Sequence, residues 1–263
     1  MSAAAPSAWA PGSGVLIVTW PGAGAVGTLA ARYLLTRLDC TPLRRLPSPR
    51  AFEPPAAVVN GGVVSGGDLP RGIHVSRDRP ELFVLASDWA PRPGGEEVLT
   101  LATELGAQRV LVLSSLVADP EPEPPGVLGL ANHEELLERA GHDRLHVPVA
   151  GEVRGIEGAL LTAAARRGLR ALTLLGVVSS AGAATPHLVR AAEVLAALAP
   201  LIELELDEVE LRRQAAALQR RQASGARASE ALQEHIARAT SPAAQELEDR
   251  FLDPGLSRGR GAR

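Results

Sequence analysis

Five short apolar runs punctuate the chain: Val15 to Thr19, Ala57 to Asn60, Leu82 to Ser87, Val110 to Ser114 and Leu172 to Gly176. None alternates apolar with polar positions, the pattern of strands buried on both faces of a mostly parallel sheet. Helical patterning fills the intervals over Val26 to Leu38, Glu96 to Leu105, Glu134 to Ala140, Ile156 to Arg167 and Pro186 to Leu198. Gly106 and Gly168 each follow a helical stretch and precede an apolar run, as helix C-terminal caps do. The pattern predicts an α/β domain whose sheet is covered by helices on both faces.

Three segments depart from this rhythm. Gly61 to Ile73, with its glycines and Pro70, reads as a hairpin-containing excursion. Asp119 to Gly126 alternates acids with prolines, which continue neither strand nor helix, so it is expected as an exposed loop. Past Asp207, a predicted N-cap, the chain is charged and helix-prone to about Ala239, with a second short helix from Pro242 to Leu252. Leu204, Leu211, Leu218 and Leu232 share a heptad phase that Gly225 interrupts, which favours packing against the domain or a neighbouring subunit over a free coiled coil. The expected organisation is a flexible segment over residues 1–14, an α/β core over 15–206, a C-terminal helical extension over 207–252 and a disordered basic tail over 253–263.

Chemistry enters at Trp20-Pro21-Gly22-Ala23-Gly24-Ala25-Val26-Gly27, which joins the first apolar run to the first helical stretch. Gly22, Gly24 and Gly27 have the G-x-G-x-x-G spacing of a dinucleotide-binding loop, where bare backbone approaches a pyrophosphate. Such a site also needs an acid ending a second strand about 20 residues on, to hold the ribose. Instead Leu43 to Arg50 contains Pro47 and Pro49, which interrupt a strand, and the next acid is Glu53. Two readings stand: a nucleotide loop, or a tight turn whose glycines permit close packing.

The turn in its setting, followed by Ala30-Ala31-Arg32-Tyr33-Leu34, resembles the opening motif of the prokaryotic proteasome assembly chaperone family, second-chaperone type. The resemblance continues in order through Leu82 to Asp88, Glu104 to Ala107, Arg109 to Leu113, Val127 to Leu137, Gly151 to Leu161 and Arg166 to Ala171. It thus covers about residues 15 to 210. It implies a three-layer α/β/α sandwich with a mostly parallel mixed sheet, similar to the phosphorylase and peptidyl-hydrolase folds. It also implies self-assembly and no established catalytic chemistry. Some archaeal relatives dock on the proteasome through a C-terminal hydrophobic-tyrosine-any tail. This sequence ends Gly259-Arg260-Gly261-Ala262-Arg263 and its single tyrosine is Tyr33, so the resemblance does not extend tail-mediated docking to it.

Composition narrows the partners. A chain of 263 residues, 46% apolar, can bury a substantial core. A formal charge of -3 and 3% aromatic residues provide neither global attraction for nucleic acid nor platforms for base stacking. Cys40 is the single cysteine, so neither an internal disulfide nor a cysteine metal site is available. The first fourteen residues lack the basic start and apolar segment of a signal peptide, and no apolar stretch approaches the roughly 18 residues that span a bilayer. A cytoplasmic protein with no nucleic-acid or membrane partner is expected.

Ligands of open α/β sheets bind beyond the carboxyl ends of the strands. That logic gathers a candidate pocket from Gly22, Gly24, Gly27, Asp88, Ser114 and Asn132, with Ser115, Gly176 and Gly151 to Gly158 as neighbours. The same residues also have structural readings: Asp88 and the serines satisfy loop backbone, and Asn132 caps a helix that begins with Glu134 and Glu135. His142 and His146 are four apart, but Gly141 and Pro148 bracket them against a continuous helix, which argues against zinc. No catalytic residues, metal or cofactor are assigned. The leading expectation is a non-enzymatic, homo-oligomeric assembly-chaperone-like or interaction protein with an unidentified protein client. The alternative is a nucleotide- or nucleoside-binding enzyme, phosphorylase- or hydrolase-like, using the Gly22 to Gly27 loop.

Overall fold

The computed structural model describes residues 13–45, 57–60, 63–66, 72–87, 95–120, 126–217 and 219–220. Its strands are β1 (Gly14–Thr19), β2 (Cys40–Arg44), β3 (Ala57–Asn60), β4 (Val63–Gly66), β5 (Gly72–Ser76), β6 (Leu82–Ala86), β7 (Ala107–Val117), β8 (Val127–Ala131) and β9 (Arg170–Val178). Its α-helices are α1 (Val26–Arg37), α2 (Glu96–Glu104), α3 (Glu134–Ala140), α4 (Gly155–Arg166) and α5 (Leu188–Leu198). Residues 208–217 are also helical. Met1–Gln219 forms one compact unit and Arg220–Arg263 a second.

Seven strands make one sheet in the order β2-β5-β6-β1-β7-β9-β8. The central strands β6, β1, β7 and β9 are parallel, while β5, β2 and β8 join them antiparallel. The apolar run Ala57–Asn60 is not among them. It pairs antiparallel with Val63–Gly66 in a separate two-stranded sheet, so the hairpin begins before Gly61, and Ile73 belongs to β5 of the main sheet. β2 is a strand despite Pro42 because it lies at the sheet edge, where a missing amide costs no ladder bond.

Side chains of the central strands alternate between two cores. Val15, Ile17, Val84, Leu111, Leu113, Leu172 and Leu174 face α1, α3 and α5. Leu16, Val18, Leu85, Val110, Val112 and Ala171 face α2 and α4. This is a three-layer α/β/α sandwich, and burial on both faces explains why these runs lack alternation.

α5 is the most enclosed helix, with every side chain from Arg190 to Leu198 buried. Its C-terminal end, where backbone carbonyls lack helical partners, is held by arginines from three other places. Arg109 of β7 donates to Leu201 O at 3.0 Å, Arg144 to Ala196 O at 2.9 Å, and Arg79 donates to Ile202 O. Within α5, Arg190 pairs with Glu193 and donates through Nε to Val177 O at 2.7 Å. Glu193 also accepts the Gly126 amide at 3.1 Å, so the pair ties α5 to the chain entering β8.

The stretch past residue 206 begins as expected: Asp207 Oδ1 accepts from Glu210 N at 3.0 Å, an N-cap. Ala215 is buried, Leu211 packs against the α1/α5 core, and the Gln219 side chain accepts from Val189 N at 3.1 Å. This part of the helix is therefore packed in the same compact unit as the sheet. The expectations for residues 1–12, for Asp88, for the acidic loop over 121–125 and for everything past residue 220 lie outside the described residues.

Two outcomes follow. Glu193→Ala removes the buried ion-pair partner of Arg190 and is expected to cost about 3–5 kcal/mol in denaturant unfolding, against far less for Arg190→Met combined with Glu193→Leu. His74 is buried and its imidazole is pushed below 6.5 by that burial. The unfolded chain therefore takes up the proton first as pH falls. The His74 contribution is complete above 6.5 and is lost as pH falls through its folded value, so the melting temperature of His74→Gln should depend less on pH between 7 and 5.

Candidate functional site at the glycine-rich turn

β1 ends at Thr19 and the chain reaches α1 through Gly22 and a short 3-10 turn over Ala23–Ala25. Gly24 and Ala25 both take left-handed backbone, at φ 62° and 51°. A Cβ on Gly24 would also stand 2.9 Å from the Cβ of His187. Gly27 faces a harder wall: its Cβ would lie 2.6 Å from the backbone oxygen of Leu113 and 3.0 Å from that of Trp20. At Gly22 the obstruction is the Ser115 hydroxyl, 2.4 Å from the same construction, with Ser114 Oγ at 3.8 Å. The structure thus brings Gly22, Gly24 and Gly27 together with Ser114 and Ser115, beyond the carboxyl end of β1 and beside the C-terminal half of β7. Ser114 is buried, and the buried Ser115 hydroxyl has no hydrogen-bond partner among the described residues.

This place is filled by the chain itself. The connection from β9 to α5 folds over the turn: Gly24 N donates to Ala183 O at 2.7 Å, and His187 N donates to Gly24 O at 2.7 Å. Ala25 N donates to Gly22 O at 3.0 Å. Two amides that a pyrophosphate would require thus already have carbonyl partners. His187 also caps α5, its Nδ1 accepting from Arg190 N at 3.3 Å. Asp119 steadies the connection by accepting from Ser180 N at 3.1 Å, and hydrogen bonds from Ser180 hold its carboxyl below the usual range. Gly176 lies on β9 where Val26 of α1 and Val194 of α5 press in, so its absent side chain makes room for both helices. The 179–187 connection was not legible as part of the site. Its one signal is the run of small residues Ala181-Gly182-Ala183-Ala184 before Pro186.

Asn132 is not in this cluster. It follows β8 at the level of Ala171, near the start of β9, whereas Ser114 and Ser115 stand toward that strand's end. Nor does it cap α3, whose N-cap position is His133. Its amide instead donates to Leu169 O at 2.9 Å and accepts from Ala171 N at 2.8 Å, joining the loop before β9 to the end of β8. Glu134 and Glu135 do occupy the first turn of α3, and Glu135 pairs with Arg170 and Arg139. Gly155 and Gly158 line an open groove of ≈ 500 Å³ on α4, with Glu96 of α2 at its rim. His142 sits in a short 3-10 turn and His146 bridges to Leu128. Among the described residues no three His, Cys, Asp or Glu side chains converge as a metal site would require. The Cys40 thiol is pushed up to about 11 by burial and by Asp39.

Residues 16–224 match the sequence model of the PAC2 family. The chain belongs to that family. Similar solved structures agree with the sandwich. PbaA of Pyrococcus furiosus, an archaeal homolog of proteasome-assembly chaperone, superimposes with a TM-score of 0.62 at 21% identity, over 86% of this chain and 92% of that one. PbaB of the same organism, an archaeal proteasome activator, gives 0.57 at 20% identity over 81% and 93%. A proteasome-assembly chaperone homologue of Mycobacterium tuberculosis gives 0.59 at 21% identity over 80% and 94%. No curated protein matches the chain. For this PAC2 protein the glycine turn is the point where the first strand, first helix and last connection of the sandwich meet.

Gly27→Ala is expected to lower stability by about 1–3 kcal/mol, since its obstruction is backbone. Gly22→Ala should cost less, because the Ser115 hydroxyl can turn aside, and adding Ser115→Ala should recover most of the loss in chemical denaturation.

Proposed function

We propose that this PAC2-family chain is a non-enzymatic, assembly-chaperone-like protein that works as a homo-oligomer and holds a protein client. The observation that carries the reading is the occupied turn: Gly24 N donates to Ala183 O, and the glycines accommodate neighbouring backbone and side chains. The resemblance in fold to an archaeal homolog of proteasome-assembly chaperone and to an archaeal proteasome activator supports proteasome subunits as the client class. In this reading no cofactor or metal takes part, and the charged stretch over 207–252 contributes to client contact. Its acidic formal charge of -3 suits neither nucleic acid nor an anionic membrane surface. Among the described residues no helix is long and apolar enough to cross a membrane.

The test pairs two measurements on the full chain. Affinity capture from extract of the source cell should return a stoichiometric protein client, and light scattering should give a discrete multimeric mass. A thermal-shift screen with NAD, ATP, nucleosides and phosphate should leave the melting temperature unchanged. A true ligand at a hundred times its dissociation constant would stabilise by about 2.7 kcal/mol and would return the turn to the nucleotide-enzyme reading.

A further inference from the structure

Self-association needs a surface, and the ends of the sheet are poor ones. The β2 edge carries Pro42 and an irregular register between Pro42 and Arg44, both of which spoil a strand template. The β8 edge is already covered by the 145–147 segment, through Gly129 N to His146 O at 3.0 Å and His146 N to Val127 O at 2.8 Å. On the α1/α5 side, residues 208–217 pack against the core. On the other side, among the described residues, α4 leaves Gly155, Thr162 and Arg166 exposed and Ala159 half-buried.

That face of α4 has a composition suited to another helix. Gly155, Ala159 and Thr162 follow one another at helical spacing on that side, so one ridge of α4 is low enough for a second helix axis to come close. Thr162 donates its hydroxyl back to Gly158 O at 2.8 Å, which satisfies its polar atom within the helix. The groove along this ridge has Glu152 at its N-terminal end and Arg166 at its C-terminal end. Glu152 is exposed and pairs with Arg154 within the chain, whereas Arg166, also exposed, has no ion pair among the described residues. Just before α4, Val149 and Val153 stand out as exposed apolar side chains, Val149 fully so.

We propose that α4 is the self-association face of this protein: two copies pack their α4 helices antiparallel across a two-fold axis near Ala159 and Thr162. The proposal rests on the homo-oligomer reading above and names its surface. A two-fold axis makes the contact self-complementary. It sets the basic end of each helix against the acidic start of the other, so Arg166 reaches Glu152 of the partner subunit twice. The same rotation lays Val153 and Val149 along the C-terminal half of the partner's groove. Those valines add the apolar area that one short helix pair lacks for a stable interface.

The experiment is sedimentation or light scattering of the full chain over a concentration series, with circular dichroism as the control for folding. Ala159→Arg places a long charged side chain on the ridge and is expected to shift the protein to a smaller species. Arg166→Glu alone should weaken association about threefold to tenfold, and Glu152→Arg with Arg166→Glu should recover most of that loss. If the wild type is multimeric and all three variants keep its mass and dissociation constant, the α4 face is wrong while the oligomer reading survives. If the wild type is a monomer at every concentration, the oligomer reading itself fails and this proposal with it.

Discussion

The carbonyl of Leu113 lies where a side chain on Gly27 would have to stand, and much of the sandwich is organised by that closeness. Because Gly27 is bare, α1 seats its first turn directly against β7 at Leu113. Val26 then fills the space beside Gly176 on β9, and Val194 of α5 fills it from the next position. The last connection can close over the turn only because Gly24 leaves room for His187 and offers both its amide and its carbonyl. One pattern of missing side chains thus couples the first and last parallel strands with α1 and α5.

The two layers of helices are finished differently. The α1/α5 layer is nailed down by charge: arginines from three separate segments bond the carbonyls around the end of α5, and Arg190 with Glu193 fixes the start of β8. Burial and neighbouring arginines lower the Arg109 guanidinium to about 10, a cost offset by its hydrogen bonds to Leu201 O and Ser13 O. The α2/α4 layer is joined by packing and by exposed pairs such as Arg167 with Glu96, which are worth little in water. Among the described residues its outer ridge on α4 is small, grooved and exposed at Gly155 and Thr162.

Legibility in the sequence followed burial. The central runs at Val15, Leu82, Val110 and Leu172 were readable because strands covered on both faces need uninterrupted apolar residues. The edge elements were not: β2 carries Pro42 and Arg44, and β8 is short and glycine-bearing, so neither has a distinctive period. At the site, the spacing of Gly22, Gly24 and Gly27 announced a tight strand-to-helix turn, yet two physical purposes share that spacing. Asn132 was misplaced for a related reason, since a polar residue before Glu134 and Glu135 looks like a helix cap until the neighbouring backbone is known.

The sequence by itself determined the class of fold, the helices α1 to α5 and the place of the glycine turn, because hydrophobic period, capping glycines and bare turns are local properties of the chain. Only the tertiary structure decided what the turn faces and which strand lies at which edge. Those depend on contacts between residues far apart in sequence: Gly24 with Ala183, Gly27 with Leu113, Pro42 with His74. No local pattern encodes the partner in such a contact, since the same bare backbone can receive a phosphate or a carbonyl, and folding chose the carbonyl.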